Sequence, residues 1–391
     1  MIAQRINSIA PFHAMALLAR ARELEAQGRS IVHMEIGEPD FATPQPVVDA
    51  GIRALQQGKT HYTPAVGLRE LREAIAGHYL RQFEVQIDPR RILVTPGASG
   101  ALQLILAMLV DPGSQVLMAD PGYPCNRNFV FLFEGEPVMV PVEAQQHYQL
   151  SAELLEQYWS EKTSCVMVAS PSNPTGTVIS QDRLEKLLHK VRDKGGHLIV
   201  DEIYQSLWYR EAPHTALSLG EDVFVINSFS KYFGMTGWRL GWLVAPEDAV
   251  THLDTLAQNL FLSAPTPAQH AALTAFQPET QAILEYRRQE FQQRRDFLLP
   301  ALRGLGFDIS VQPQGAFYLY ANCGRFTQDS FTFATDLLEK AGVAITPGID
   351  FGRHKAARHV RFAYTTSMQQ LQLGVERIAE FIGRQQKRDE K

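Results

Sequence analysis

The stretch Ser228-Phe229-Ser230-Lys231-Tyr232-Phe233-Gly234-Met235-Thr236-Gly237-Trp238-Arg239-Leu240-Gly241 sets one lysine among small hydroxyl residues and aromatics, with an arginine eight positions on. Burial disfavours an ammonium, so a lysine in apolar surroundings has a lowered pKa. The free amine is then a nucleophile that can form a Schiff base with a carbonyl. Ser228, Ser230 and Arg239 supply hydroxyls and a fork-shaped cation suited to a phosphate. An aldehyde trap beside phosphate donors points to pyridoxal 5'-phosphate. Alone, Lys231 could equally lie along a surface with only its stem buried.

Other clusters bear on the choice. Thr95-Pro96-Gly97-Ala98-Ser99-Gly100 joins an apolar run to a helical pattern. Free amides at a helix start attract an anion, and small residues let a phosphate come close; as a plain turn, Ser99 would be the N-cap. In Ser170-Pro171-Ser172-Asn173-Pro174-Thr175-Gly176 the proline pushes Asn173 into an extended conformation. Its amide can then meet an aromatic ring oxygen, or the segment is an ordinary Asn-Pro turn. Asp201 closes the apolar run Leu198-Ile199-Val200, where a carboxylate is costly unless a cation meets it. A protonated pyridine nitrogen is such a cation, with Tyr204 three residues on able to return to the same ring; a helix N-cap is the alternative for Asp201. Asp201-Glu202 also suggests an ATPase acid pair, but no Gly-x4-Gly-Lys-Ser/Thr accompanies it. Tyr123, after Asp120-Pro121-Gly122, can stack on a flat cofactor or sit in a core. Arg361 interrupts the apolar run Val360-Arg361-Phe362-Ala363, which suits a planar carboxylate or a structural salt bridge. His33, His197 and His359 lack metal-ligand spacing, and no metal is expected.

Elements must hold these residues together, and 391 residues suffice for two or more domains. With 45% hydrophobic and 20% charged residues the chain is globular in composition. A formal charge of −5 leaves no general basic surface for nucleic acid. Cys125, Cys165 and Cys323, odd in number and far apart, form neither a disulfide framework nor a zinc site and fit a reducing compartment. Arg5, His13 and Arg20 interrupt the N-terminal apolar runs, so no signal peptide is expected. The apolar block 104–110 is too short to span a bilayer. A soluble, cytoplasmic protein with no membrane partner is the expectation.

Helical spacing is read at 12–27, 46–57 and 68–82, with a short strand at 31–36. From residue 91 strands alternate with helices: strands at 91–95, 115–119, 136–142, 164–170, 197–202, 223–227 and 240–245, helices at 99–110, 123–133, 151–159 and 180–194. That alternation predicts an α/β fold, a mostly parallel sheet with helices on both faces. Residues 247–299 read as helical throughout. The C-terminal part, with strands near 307–310, 315–320, 343–345 and 360–363 and helices at 328–341 and 367–384, reads as a smaller α+β domain. The charged tail from Arg384 reads as a solvated helix end.

Taken together and in order, these motifs resemble the class I/II aminotransferases of fold-type I pyridoxal-phosphate enzymes, from Gly37 to Arg361. The resemblance implies a seven-stranded large domain over 45–285, with 1–44 as an N-terminal arm and part of a small domain completed by 286–391. It implies that Lys231 binds the cofactor as an imine and shuttles the substrate proton, and that Asp201 pairs with the pyridine nitrogen. Asn173 and Tyr204 would hold the ring oxygen, and Tyr123 would stack on the ring. Ser228, Arg239, Ser99 and the amide of Ala98 would bind the phosphate, with Tyr62 reaching in from a second subunit. Gly37, Asn173 and Arg361 would grip the substrate carboxylate. An obligate homodimer with shared sites is implied, with the 12–27 helix closing over the pocket. The activity implied is ping-pong transfer of an amino group between an L-amino acid and a 2-oxo acid.

One branch of the family places a side-chain arginine before the segment corresponding to Ser263-Ala264-Pro265-Thr266-Pro267; here none occurs between Ala257 and Gln269. Another branch uses a lysine where this chain has Ser99 or Gly100. A side-chain pocket without a fixed cation is therefore expected, favouring apolar or aromatic substrates through Phe12, His13 and Tyr123. A carbon–sulfur β-lyase on the same scaffold is the alternative enzyme. A non-catalytic regulator is disfavoured by the missing basic patch.

Overall fold

The computed structural model describes residues 2–9, 11–209 and 214–389. Seven strands form one sheet in the order Ile92–Thr95, Gly241–Val244, Phe224–Ser228, His197–Asp201, Thr163–Ala169, Gln115–Asp120, Glu136–Pro141. All neighbours pair in parallel except Gly241–Val244, which runs antiparallel to both its neighbours. Each strand coincides with an expected one. Central strands such as Phe224–Ser228 are buried at every residue, while edge strand Glu136–Pro141 is only partly covered, as a sheet packed on both faces requires.

Successive side chains of a strand point to opposite faces, and the packing follows that period of two. Val94, Leu117, Val166, Val168, Val200, Val225, Trp242 and Val244 join one core, with residues of helices Arg69–Phe83 and Gln181–Asp193. Leu93, Val116, Met118, Cys165, Met167, Ile199, Ile226 and Leu243 join another, under helices Gly97–Leu109 and Val250–Leu260. Helix Gln181–Asp193 shows the local logic: Leu184, Leu187, Leu188 and Val191 make its buried stripe, and the Ser180 hydroxyl accepts from the Arg183 amide at its start.

A third core draws on both chain ends, from Leu17 to Met34 and from Phe291 to Ile382, together with residues around Tyr204. Val32–His33 pairs in parallel with Val343–Ala344, and Thr346–Pro347, His359–Ala363 and Tyr318–Asn322 form an antiparallel sheet. Helices His13–Ala26, Ser330–Ala341 and Met368–Asp389 belong to this part, and the last two residues of the charged tail lie outside the described residues.

Three expectations change. The strand at 31–36 shrinks to Val32–His33, because the carbonyls of Glu35 and Ile36 are taken by the hydroxyls of Thr346 and Thr365. The strand at 307–310 reduces to the bridge between Asp308 and Asn322, since Arg303 captures the Ile309 carbonyl. The helical run at 247–299 breaks after Leu260, where Leu262 takes a φ of 63° and Pro265 starts a new helix, Thr266–Ala272. Among the described residues no helix is long and apolar enough to cross a membrane, and no His, Cys, Asp and Glu group could hold a metal.

Candidate active site

Thr95, Asp120, Ala169, Asp201 and Ser228 end strands on the same edge of the sheet, where open α/β sheets bind ligands. Beyond that edge lies a cavity of about 460 Å³, walled on the far side by helix His13–Ala26 and by Tyr318 and Arg361 of the three-stranded sheet. Thirteen of the residues singled out in the sequence line it: Phe12, Gly37, Ala98, Ser99, Tyr123, Asn173, Asp201, Tyr204, Ser228, Ser230, Lys231, Arg239 and Arg361.

Lys231 follows the strand Phe224–Ser228 by three residues and donates from Nζ to the Gly37 carbonyl at 2.7 Å. Burial pulls its pKa down to about 8, against the opposing field of Glu38. A far larger share of its amine is therefore unprotonated near neutrality than for an ordinary lysine, and the neutral form is the state a nucleophile needs. Opposite in logic is Asp201. Burial pushes its carboxyl up to about 6, and the Ile203 amide, 3.0 Å from Oδ1, together with Lys231 only partly offsets this. No ion pair joins Asp201 to a cation among the described residues, so its carboxyl lines the cavity with the Ile203 amide bound but no counter-charge.

The anion cradle is built by close backbone approach. An added Cβ on Gly241 would lie 2.7 Å from the Gly97 carbonyl carbon and 2.8 Å from the Ala98 nitrogen, so only glycine lets the two strands' ends bring the first amides of helix Gly97–Leu109 beside Ser228. Gly97, at φ 71°, leaves room for the Arg239 guanidinium, whose Nη2 would be 2.6 Å from a Cβ there. Ser228 Oγ makes only a long bond, 3.3 Å, to the Leu240 carbonyl, and accepts from the Ser230 amide at 3.0 Å. A helix start, the Ser228 hydroxyl and the Arg239 guanidinium thus line one part of the cavity, a donor set suited to a phosphate. Ser99 sits inside the first turn of that helix, which has Pro96 at its cap, so the N-cap reading of Ser99 falls.

Arg361 is 2% exposed, yet no carboxylate among the described residues pairs with it. Its Nη1 donates to Asn173 Oδ1 at 2.9 Å and its Nη2 to the Glu35 carbonyl at 2.5 Å and to Thr346 Oγ1 at 3.2 Å, while Nε has no partner. The guanidinium lies over the rings of Tyr318 and Phe351, 4.3 and 4.8 Å from their centroids. A desolvated cation held in place without a counter-ion is a site for a planar carboxylate.

His13, expected at the pocket, is not there: its ring packs against Phe331 while its backbone amide donates to Asp350. Tyr62, expected to serve a second subunit's site, is 80% exposed and does not line this chain's own cavity. Others went unnoticed. Tyr318 contacts both Arg361 and Tyr204, and its neighbours Gly315-Ala316-Phe317 had suggested only a strand. Met15, Leu18 and Arg22, on one stripe of helix His13–Ala26, line the cavity beside Phe12. Arg22 adds an exposed guanidinium to the cavity wall, outside the clamp and the cradle.

A family model described as aminotransferase class I and II matches residues 29–378. The chain is similar to a (5-formylfuran-3-yl)methyl phosphate transaminase of Methanocaldococcus jannaschii, 38% identical over 98% of this chain and all of that one. It is also similar to a valine–pyruvate aminotransferase of Mycobacterium tuberculosis, 36% identical over 96% of this chain and 97% of the other. The solved structure of an aspartate aminotransferase from Thermus thermophilus with maleate superposes with a TM-score of 0.92 at 34% identity, covering 97% and 99% of the two chains.

Proposed function

The chain belongs to the class I and II aminotransferases, and from that premise we propose that pyridoxal 5'-phosphate is held in the cavity by Lys231, Asp201, Asn173, Tyr204, Tyr123, Ala98, Ser99, Ser228 and Arg239. The protein is a transaminase, moving an amino group between an amino acid and a 2-oxo acid. Relatives with transaminase activity along their whole length favour this over β-elimination.

The residues present fit the cofactor: a glycine-lined cradle for its phosphate, an unpaired carboxylate for its ring nitrogen, and an amine of lowered pKa for its aldehyde. When bound, the cofactor supplies an electron sink for the electrons left when the substrate loses its Cα proton. Asp201 keeps the ring nitrogen charged, which its position at a strand end, away from bulk water, makes effective. Asn173 and Tyr204 offer donors to the ring oxygen, and Tyr123 covers the ring face. Lys231 Nζ would hold the cofactor aldehyde and, when free, would serve as the base for the substrate Cα proton. Arg361, oriented by Asn173 and the Glu35 carbonyl, receives the substrate carboxylate with Gly37 beside it. Tyr62 of the partner subunit completes the phosphate site in a homodimer with shared sites.

The side-chain pocket is walled by Phe12, Met15, Leu18 and Tyr123, with Arg22 on the same helix stripe. We read it as favouring apolar or aromatic side chains. Comparing kcat/KM for phenylalanine, methionine, alanine and aspartate decides this, and a strong aspartate preference overturns it. The single observation carrying the site assignment is the Lys231 amine, bonded to the Gly37 carbonyl in one cavity with a carboxyl, Asp201, and a guanidinium, Arg361, that have no ion-pair partner among the described residues. Loading the protein with pyridoxal phosphate, reducing with borohydride and mapping peptides should label Lys231; label on another lysine refutes the assignment.

A further inference from the structure

Tyr318 touches three working parts of the site at once. Its ring lies under the Arg361 guanidinium, 4.3 Å from Cζ to centroid. Its hydroxyl is 2.7 Å from the hydroxyl of Tyr204. The same hydroxyl fills the space that a Cβ on Gly37 would need, so it packs on the loop whose carbonyl receives Lys231 Nζ.

Either hydroxyl can donate in the bond between the two tyrosines, but a phenol has one proton, and once Tyr204 commits its own to the cofactor ring oxygen, as proposed above, Tyr318 is left to donate to Tyr204. Tyr318 is buried, and among the described residues its hydroxyl has no hydrogen-bond partner except Tyr204. Leaving the Tyr318 proton unpaired is costly; donated to Tyr204 Oη, it is satisfied. Tyr204 then accepts, and its own proton is free to point into the cavity that it lines, on the side of Lys231, whose Nζ is 6.0 Å from the Tyr204 ring centroid. A hydroxyl that accepts a hydrogen bond is also a stronger donor.

We propose that Tyr318 is a positioning residue that couples the two halves of the site. Its hydroxyl aims and strengthens the Tyr204 donor toward the ring oxygen of the cofactor, and its ring carries the guanidinium that grips the substrate carboxylate. The coupling rests on the cofactor placement proposed above. A stronger donor at the ring oxygen favours its anionic form, which lowers the pH at which the lysine–cofactor linkage loses its proton. Tyr318 therefore tunes that pH through its oxygen and substrate affinity through its ring, two effects that separate by substitution.

The test is the visible absorbance of the cofactor-loaded protein, titrated with pH, in wild type, Tyr204→Phe, Tyr318→Phe and the double variant. Tyr204→Phe should raise the midpoint. Tyr318→Phe should raise it by less, about half a unit, the size of one net hydrogen bond. The double variant should match Tyr204→Phe alone, because the Tyr318 oxygen acts only through Tyr204. Tyr318→Phe keeps a ring under Arg361 and should leave KM for the amino acid within about twofold, whereas Tyr318→Leu should raise it about tenfold. An unmoved midpoint in Tyr318→Phe, or additive shifts in the double variant, overturns the coupling; the isosteric phenylalanine keeps this decisive even if the leucine variant misfolds. A wild-type protein that shows no titrating band overturns the cofactor placement itself, a result visible before any variant is made.

Discussion

A lysine whose amine loses its proton near pH 8 must react with an aldehyde more slowly in acid, and this gives the site a pH signature. The neutral form is the nucleophile, so below about pH 8 the rate of cofactor attachment to the cofactor-free protein should fall about tenfold per unit, and above it the rate should level off. Stopped-flow absorbance measures it; a plateau beginning only near the pH of an ordinary lysine shows that burial does not govern the amine. Lys231→Ala should abolish transamination while the cradle still binds the cofactor through its phosphate. For Asp201 the effect is on the ring charge. Asp201→Ala should cost several orders of magnitude in kcat, and a loss under about tenfold removes the role assigned to this carboxylate. Arg361→Lys replaces a two-pronged donor by a point charge and should raise KM for any amino acid.

Helix His13–Ala26 brings Phe12, Met15, Leu18 and Arg22 to the cavity, and its orientation is set at its first turn. Asp350 accepts from the amides of His13 at 2.9 Å and Ala14 at 2.8 Å, a cap supplied by a residue 336 positions away in sequence. Arg20, paired with Glu339 at 2.6 Å, is a second, exposed tie. Losing a helix cap costs about 1 kcal/mol. Asp350→Ala should therefore lower stability to denaturant by about that much and raise KM for bulky substrates, because the helix loses its fixed approach to the pocket. Asp350→Asn, which keeps an accepting oxygen, should recover most of both effects; a normal KM in Asp350→Ala shows that the helix does not shape the pocket.

At the scale of the whole molecule, the proposal that Tyr62, exposed on this chain, serves a second copy has its own test. If Tyr62 serves the phosphate of a neighbouring copy, two defective variants must complement. Lys231→Ala and Tyr62→Phe, unfolded together and refolded, should yield mixed dimers with one intact site each, the lysine from one chain and the tyrosine from the other. Activity above the sum of the separately refolded variants is the expected result, and its absence counts against shared sites. We also propose that residues 45–285 form one body and 286–391, with the N-terminal 44 residues, another. The cores are distributed accordingly, since two draw on residues between Val47 and Leu284 and the third mainly on the chain ends. Hydrogen exchange with and without an amino-acid analogue should then show protection concentrated in helix His13–Ala26 and at the seam between the two.

The sequence by itself determined the seven strands, most of the helices and the residues at the strand ends, because alternation, helical spacing and turn residues are local and each motif sits directly after its own strand. Short elements in the C-terminal part were less legible. At 31–36 and 307–310 the decisive partners are side chains such as Thr346, Thr365 and Arg303, which interrupt strand pairing without leaving a local pattern. Only the tertiary structure decided that Arg361 lies buried without a counter-ion against Asn173, and that Asp350 caps a helix near the other end of the chain. Tyr318 belongs to the same class. It reads as one more buried strand residue until the antiparallel sheet sets its ring under Arg361 and its hydroxyl against Tyr204, contacts between residues 43 and 114 positions apart. Periodicity records which face a residue occupies; what stands opposite that face is fixed by the packing of distant segments.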